Sequence, residues 1–179
     1  MIGKIVLVDM DNVLAGWTEG IIEGLLRAGY SPEGLDLTRW DLGMDESTRR
    51  IVRRTQATPG FYRNLRPIEG GAEGLAELER LGYEVYICST PDATNVTCAS
   101  DKLEWVREHL GEAWVKRVIL THPKSLVRGA VLIDDKPVID DVDEAEWVRV
   151  VFDQPYNQET EGPRLFGWSD LSVIEEVFA

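Results

Sequence analysis

The chain has 179 residues, of which 44% are hydrophobic and 28% charged, and its net charge is −13. That length and apolar content suit one globular domain, or one domain carrying a small insertion. The charge argues against long nucleic acid as a partner, because no dense run of Lys and Arg offsets the repulsion of a polyphosphate. A membrane is excluded as well, since no stretch approaches the ~20 apolar residues that span a bilayer. The start lacks the basic segment and long apolar run of a secretory signal, so the expected location is the cytoplasm. Cys88 and Cys98 are too few for a disulfide framework and lack zinc-site spacing, and both are expected as buried thiols.

The first predicted element is a short buried strand over residues 4–8, closed by Asp9-Met-Asp11. Side chains at i and i+2 share a strand face. Asp9 and Asp11 can therefore aim at one site where the strand ends, although Asp-x-Asp alone is also a common way to cap a helix. Residues 16–67 then break the strand pattern. They contain helical stretches over 18–28 and 45–55 and read as a helical cap inserted after the first strand. Trp17, Trp40, Phe61 and Tyr62 lie in this segment. Their density suits either a small core or a pocket wall that stacks on a planar ligand.

Residues 1–15 and 68–179 form the expected core domain. Helical patterns over 71–81 and 101–110 end at Gly82 and Gly111, and a closing helix is expected over 170–178. Further β-branched runs over 84–88, 118–120, 130–133 and 148–152 read as strands. Residues 154–164 are polar and turn-rich and read as a loop. The alternation predicts an α/β fold, a three-layer Rossmann-like parallel sheet with helices on its faces.

Polar groups follow three of these later strands. Ser89 and Thr90 come after the second, Lys124 after the third, and Asp134 with Asp135 after the fourth. Open parallel sheets bind ligands at this edge. Each motif alone is a turn or a solvated charge as often as a site; four in order, all at strand ends, point to phosphoryl transfer. Carboxylates suit a hard ion such as Mg2+, with Asp9 and Asp134 as side-chain ligands. Lys124 and the metal would neutralise phosphate charge, and Ser89 or Thr90 would donate to a phosphate oxygen. One of Asp9 and Asp11 can then act as nucleophile, the other as general acid and base.

These motifs resemble the haloacid dehalogenase superfamily, and within it the 5′(3′)-deoxyribonucleotidase family. The resemblance rests on Asp9-Met-Asp-Asn-Val13, Ile87-Cys-Ser-Thr-Pro91, Ile119-Leu-Thr-His-Pro-Lys124 and Leu132-Ile-Asp-Asp-Lys-Pro137. The stretch 98–111 with Lys102 and Trp105, Asn157-Gln158 and Trp168 add to it, so it spans nearly the whole chain. It implies Asp9 as nucleophile, Asp11 as acid and base, Lys124 as phosphate partner, and Mg2+ held by Asp9, the Asp11 carbonyl and Asp134, with Asp135 in support. It also implies a deoxynucleoside monophosphate as the small phosphorylated substrate, with uracil or thymine as base and Trp17 and Trp40 against it; Phe61 would complete an apolar wall with them. Monomer and homodimer both stay open. Three positions depart from the family: Asn12 replaces a glycine, Gly16 a common acidic residue and His122 a common arginine.

Other readings are weaker. Receiver domains use similar groups but place the acidic pair first and the acceptor Asp later, the reverse of the order here. A silent binding protein would be expected to have lost one of these groups. A dehalogenase would not need Asp11. The main rival is a phosphatase of the same superfamily acting on another small phosphomonoester, because specificity lies in the cap.

Overall fold

The computed structural model of the protein describes residues 4–140 and 142–179. Six parallel strands form one sheet: β1 (Ile5–Val8), β2 (Glu84–Ser89), β3 (Val118–Leu120), β4 (Val131–Asp134), β5 (Val148–Phe152) and β6 (Arg164–Leu165). Their order is β3-β2-β1-β4-β5-β6. The chain works outward from β1 in one direction, then returns to its other side, so the order reverses between β1 and β4. Ligands of open parallel sheets bind at such a reversal, beyond the carboxyl ends of the strands.

The central strands are apolar because both of their faces are covered. Val6, Leu7, Val8, Leu132 and Ile133 are all 0% exposed, and full burial of each such side chain stabilises the fold by roughly 1.5–3 kcal/mol. Val6, Val8, Ile87, Ile133 and Val150 point into the larger core, which also receives Leu75 and Leu78 of α3 (Gly71–Arg80), Trp105 of α4 (Cys98–His109) and Ile174 of α6 (Ser172–Phe178). On the opposite face Leu7, Cys88 and Leu132 pack under Trp147, with Val127, Ile139 and Ala145 from the connections around β4.

Residues 16–67 carry α1 (Trp17–Arg27), α2 (Glu46–Gln56) and a single 3-10 turn, Tyr62–Asn64. Asp45 starts α2 by accepting from Thr48 N at 2.7 Å. The two helices approach closely at Gly24, where a Cβ would sit 2.2 Å from Thr55 Cγ2. Ile21, Leu25, Val52 and Phe61 join the larger core instead of forming a separate one. Polar ties fix the end of this segment: Trp105 Nε1 donates to Leu65 O at 2.8 Å, and Asn95 Nδ2 donates to Gln56 O at 2.7 Å.

Several elements differ from expectation, among them α4, which begins at Cys98 instead of residue 101. β6 lies at the end of the stretch read as a loop; it is two residues long, too short for any periodicity, and is held by Val151 N to Pro163 O and Asp153 N to Leu165 O. A one-turn helix, α5 (Glu112–Val115), was not anticipated. The closing helix begins at Ser172 instead of residue 170, because the Asp170 side chain accepts from Ser172 N at 3.0 Å and forms a turn before it. Among the described residues, no helix is long and apolar enough to cross a membrane.

Candidate active site

Asp9 directly follows β1, with its backbone N–H donated to Ile133 O at 2.9 Å. The chain then turns sharply as Leu14 N and Ala15 N both donate to Met10 O at 2.8 Å. Asn12 takes the left-handed conformation, φ 56°, that this turn requires. As a result Asp9 and Asp11 line one cleft of about 680 Å3 at the carboxyl edge of the sheet. Ser89, Thr90, Lys124, Asp134 and Asp135 line it from the later strand ends, and Trp17, Trp40 and Tyr62 from residues 16–67.

Two buried lysines divide these groups. Lys124 Nζ lies 2.8 Å from Asp9 Oδ1 and 2.5 Å from Asp134 Oδ2. Burial alone would lower the Lys124 pKa, but the two carboxylates outweigh it and hold the ammonium charged. Lys102, 0% exposed, donates to Asp11 Oδ1 at 2.7 Å and to Ser89 Oγ at 3.0 Å. Enclosure raises the Asp11 pKa, Lys102 opposes that rise, and the charge of Asp9 adds to it.

Carboxylate oxygens of Asp9, Asp134 and Asp135 all lie within 4.8 Å of one another. Burial raises the Asp134 pKa, with Asp9 adding to it and Lys124 opposing; burial and the charges of Asp134 and Asp9 raise that of Asp135 strongly. One ammonium therefore faces three clustered carboxyl groups. Asp9 Oδ1 is buried and, despite the nearby Lys124, receives no aligned hydrogen bond among the described residues. An all-oxygen donor set of three clustered carboxyl groups, with an orphaned oxygen, fits a hard divalent cation. The Asp11 carboxylate is outside this cluster.

Of the expected aromatics, Trp17 and Trp40 line the cleft and Phe61 does not. Phe61 lines a separate groove of about 730 Å3 between α1 and α2. Its neighbour Tyr62 faces the cleft instead, with its ring 5.0 Å from Lys102 Nζ. Which of two adjacent aromatics in a 3-10 turn faces the cleft depends on how the turn is docked, and neither residue type carries that information.

A model of the family described as 5′ nucleotidase, deoxy (pyrimidine), cytosolic type C, matches residues 3–178. A Bordetella bronchiseptica protein described as a 5′(3′)-deoxyribonucleotidase is 35% identical over 167 residues, covering 90% of each chain. The human cytosolic-type 5′(3′)-deoxyribonucleotidase is 33% identical over 179 residues, covering 92% of this chain and 89% of that protein. The chain belongs to the 5′(3′)-deoxyribonucleotidase family. It is an enzyme of the phosphoric monoester hydrolase class.

Solved structures show the fold of this chain to be that of the wider superfamily. A haloacid dehalogenase family hydrolase from Deinococcus radiodurans, solved with phosphate and sodium, aligns at TM-score 0.60 with 17% identity, covering 97% of this chain and 96% of that one. A Bacillus subtilis hydrolase of the same superfamily, bound to magnesium, aligns at TM-score 0.57 with 11% identity, covering 96% and 97%. Lys102, buried behind Asp11 and Ser89, and Tyr156, in the cleft lining, were not among the sequence-derived site residues. Lys102 had a legible signal, a lysine on the buried face of α4 shared with Cys98, Asp101, Trp105 and Val106. Tyr156, whose hydroxyl donates to Asp135 Oδ2, had none, because its single 3-10 turn, Pro155–Asn157, is too short to leave a periodic pattern in the polar stretch around it.

Proposed function

We propose that the chain is a Mg2+-dependent phosphatase that hydrolyses deoxynucleoside 5′-monophosphates through an aspartyl phosphate on Asp9. The observation that carries this reading is the pairing of two aspartates in one cleft with two different buried lysines, Asp9 with Lys124 and Asp11 with Lys102. Asp9, held beside Lys124, attacks phosphorus as the P–O ester bond breaks. Asp11, with its pKa raised by enclosure, gives its proton to the departing 5′-oxygen. A water then attacks the acyl phosphate while Asp11 takes a proton from it, freeing Asp9 and inorganic phosphate.

Lys102 keeps these groups in register. Its Nζ donates to Ser89 Oγ, so the Ser89 proton is left to point at a phosphate oxygen, beside a donor from Thr90. Asp9, Asp134 and the Asp11 carbonyl would hold Mg2+, with Asp135 in support. When bound, the ion would supply positive charge against the phosphate oxygens during attack.

Residues 16–67 serve as the cap, with Trp17, Trp40 and Tyr62 forming a wall for the base. A cleft of about 680 Å3 is ample for a nucleoside monophosphate. Residence in the cytoplasm fits two buried, unpaired thiols and the cytosolic type of the human relative. The test is phosphate release from dUMP, dTMP, UMP and glucose 6-phosphate, with Mg2+ and with excess chelator. Mg2+-dependent turnover that favours dUMP and dTMP is the expected result. Preference for glucose 6-phosphate would assign the protein to another small phosphomonoester, and full activity in chelator would remove the metal.

A further inference from the structure

Asn12 stands where the resemblance to the family expects glycine. Its backbone keeps the left-handed geometry that favours glycine, at φ 56°, a conformation that crowds the Cβ of most other residues. Asparagine tolerates it partly by bonding to backbone one or two residues away. Here the side chain reaches much farther. Asn12 Oδ1 accepts from Thr18 N at 2.9 Å, and Nδ2 donates to Thr18 Oγ1 at 3.0 Å and to Tyr156 OH at 2.8 Å, partners six and 144 residues away in sequence.

The direction of these bonds matters. A phenol has one proton. Because Asn12 donates to the Tyr156 oxygen, that proton is free for Asp135, whose Oδ2 accepts it. The Tyr156 ring meets Trp40 edge-on at 5.4 Å. Gln154 Nε2 donates to Asn12 O at 2.8 Å, and Asn157 Nδ2 donates to Asp135 O at 2.8 Å, so the loop bearing Tyr156 is pinned on both sides. Thr18 is in the first turn of α1. One hydrogen-bonded line thus runs from the first cap helix, through Asn12 and Tyr156, to the acidic cluster.

We propose that Asn12 and Tyr156 are a coupled pair of positioning residues, which register the cap on the sheet and hold Asp135 oriented for a divalent cation. Its cation half rests on the phosphatase reading. A glycine at position 12 cannot do this, since it has no side chain with which to fix either Thr18 or the Tyr156 hydroxyl. Carboxylates around a metal depend on such outer partners, whose loss typically weakens metal binding or activity by about 10–100-fold.

The experiment uses the whole chain as wild type, Asn12→Gly, Tyr156→Phe and the double variant. Amide exchange at Thr18 is followed by NMR without Mg2+, the Mg2+ dissociation constant is taken by calorimetry, and kcat and KM are measured with dUMP. Tyr156→Phe removes no atom that touches Thr18, yet faster Thr18 exchange is expected in it. Both single variants should weaken Mg2+ binding by about tenfold or more, and the double variant should be no weaker than the worse single one, because all three break the same line. Unchanged Thr18 exchange in Tyr156→Phe would overturn the link to the cap. Mg2+ affinity within about twofold of wild type in both single variants, or losses that multiply in the double variant, would overturn the link to Asp135. Wild-type protein that neither binds Mg2+ nor releases phosphate would instead defeat the phosphatase reading, while Thr18 exchange would still judge the link from Tyr156 to the cap.

Discussion

Lys102 Nζ lies 2.7 Å from Asp11 Oδ1, joining a residue of α4 to the turn after β1 across 91 positions of sequence. A fully buried ammonium needs a partner, and this one has two, the second being Ser89 Oγ. The pair sets both the direction and the proton affinity of Asp11.

Lys102→Met keeps the side-chain bulk and removes that charge. Asp11 is 27% exposed, so water can reach it and the protein is expected to fold. Loss of the ammonium raises the Asp11 pKa further. Asp11 then gives its proton less readily and, at neutral pH, fails as a base in the second step. Turnover near pH 7 should fall by roughly 10²–10⁴-fold, with the pH–rate profile displaced to higher pH. An undisplaced profile would detach Lys102 from Asp11 in the reaction.

Asp9→Asn is expected to abolish turnover, since it removes the carboxylate proposed to attack phosphorus. Asp11→Asn should slow it by roughly 10²–10⁴-fold without disturbing the fold, and should let a phosphoryl adduct on Asp9 accumulate. Intact-mass analysis after brief mixing with dUMP would detect that adduct. Near-normal turnover in Asp9→Asn would move the nucleophile elsewhere, and a change under about threefold in Asp11→Asn would release Asp11 from proton transfer.

Lys124→Met leaves Asp9 and Asp134 buried without their ammonium, a change that typically costs about 3–5 kcal/mol for a broken buried pair. Asp134 and Asp135 already have raised pKa values in the folded protein, and losing Lys124 raises them further. Raised carboxyl groups favour the folded state at low pH and oppose it as pH climbs through their folded values. The urea midpoint of the variant should therefore lie furthest below wild type near pH 7 and approach it as pH falls toward 5. A gap that is constant with pH would exclude this cause.

Burial pushes the Cys98 thiol up to about 11 and the Cys88 thiol up to about 12. Both side chains are almost wholly enclosed, at 1% and 0% exposure. Neither should react with a thiol reagent at pH 8 until the protein is unfolded. The neutral thiols contribute stability below the unfolded value of 9.0, and that contribution is lost as pH rises toward about 11 and 12. Rapid labelling of the native protein would show that the strands around Cys88 open far more readily than their packing implies.

The sheet was legible because β1, β2, β4 and β5 are short apolar runs bounded by turns, and because side chains at their carboxyl ends needed no tertiary detail to be placed on one edge. Asp9, Asp11, Ser89, Thr90, Lys124, Asp134 and Asp135 all reach one cleft for that reason. Residues outside the strands were harder. Phe61 and Tyr62 look alike in sequence, and only the docking of their turn on α4 sends one to the cleft and the other to the groove behind it. Tyr156 acquires its place from a loop whose path is set by Asn157 and Arg164, through bonds of 2.8 Å from Asn157 to Asp135 O and from Arg164 to Asn157 Oδ1. Such long-range polar ties leave no periodic trace.

Trp40 provides the sharpest test of substrate class. It lines the cleft yet is 51% exposed, a large apolar surface left open where a planar ligand could cover it. Stacking of this kind is worth about 0.5–1.5 kcal/mol beyond area burial. Trp40→Ala should accordingly raise KM for dUMP by roughly two- to tenfold or more and leave hydrolysis of p-nitrophenyl phosphate, which lacks the nucleoside, nearly unchanged. The same apolar wall leaves a ribose 2′-hydroxyl poorly paired, at a cost of ~1–3 kcal/mol, so kcat/KM for dUMP should exceed that for UMP by roughly tenfold to a hundredfold. Equal efficiency on dUMP and UMP, unmoved by Trp40→Ala, would mean that the cleft grips the phosphate alone and that the cap does not read the nucleoside.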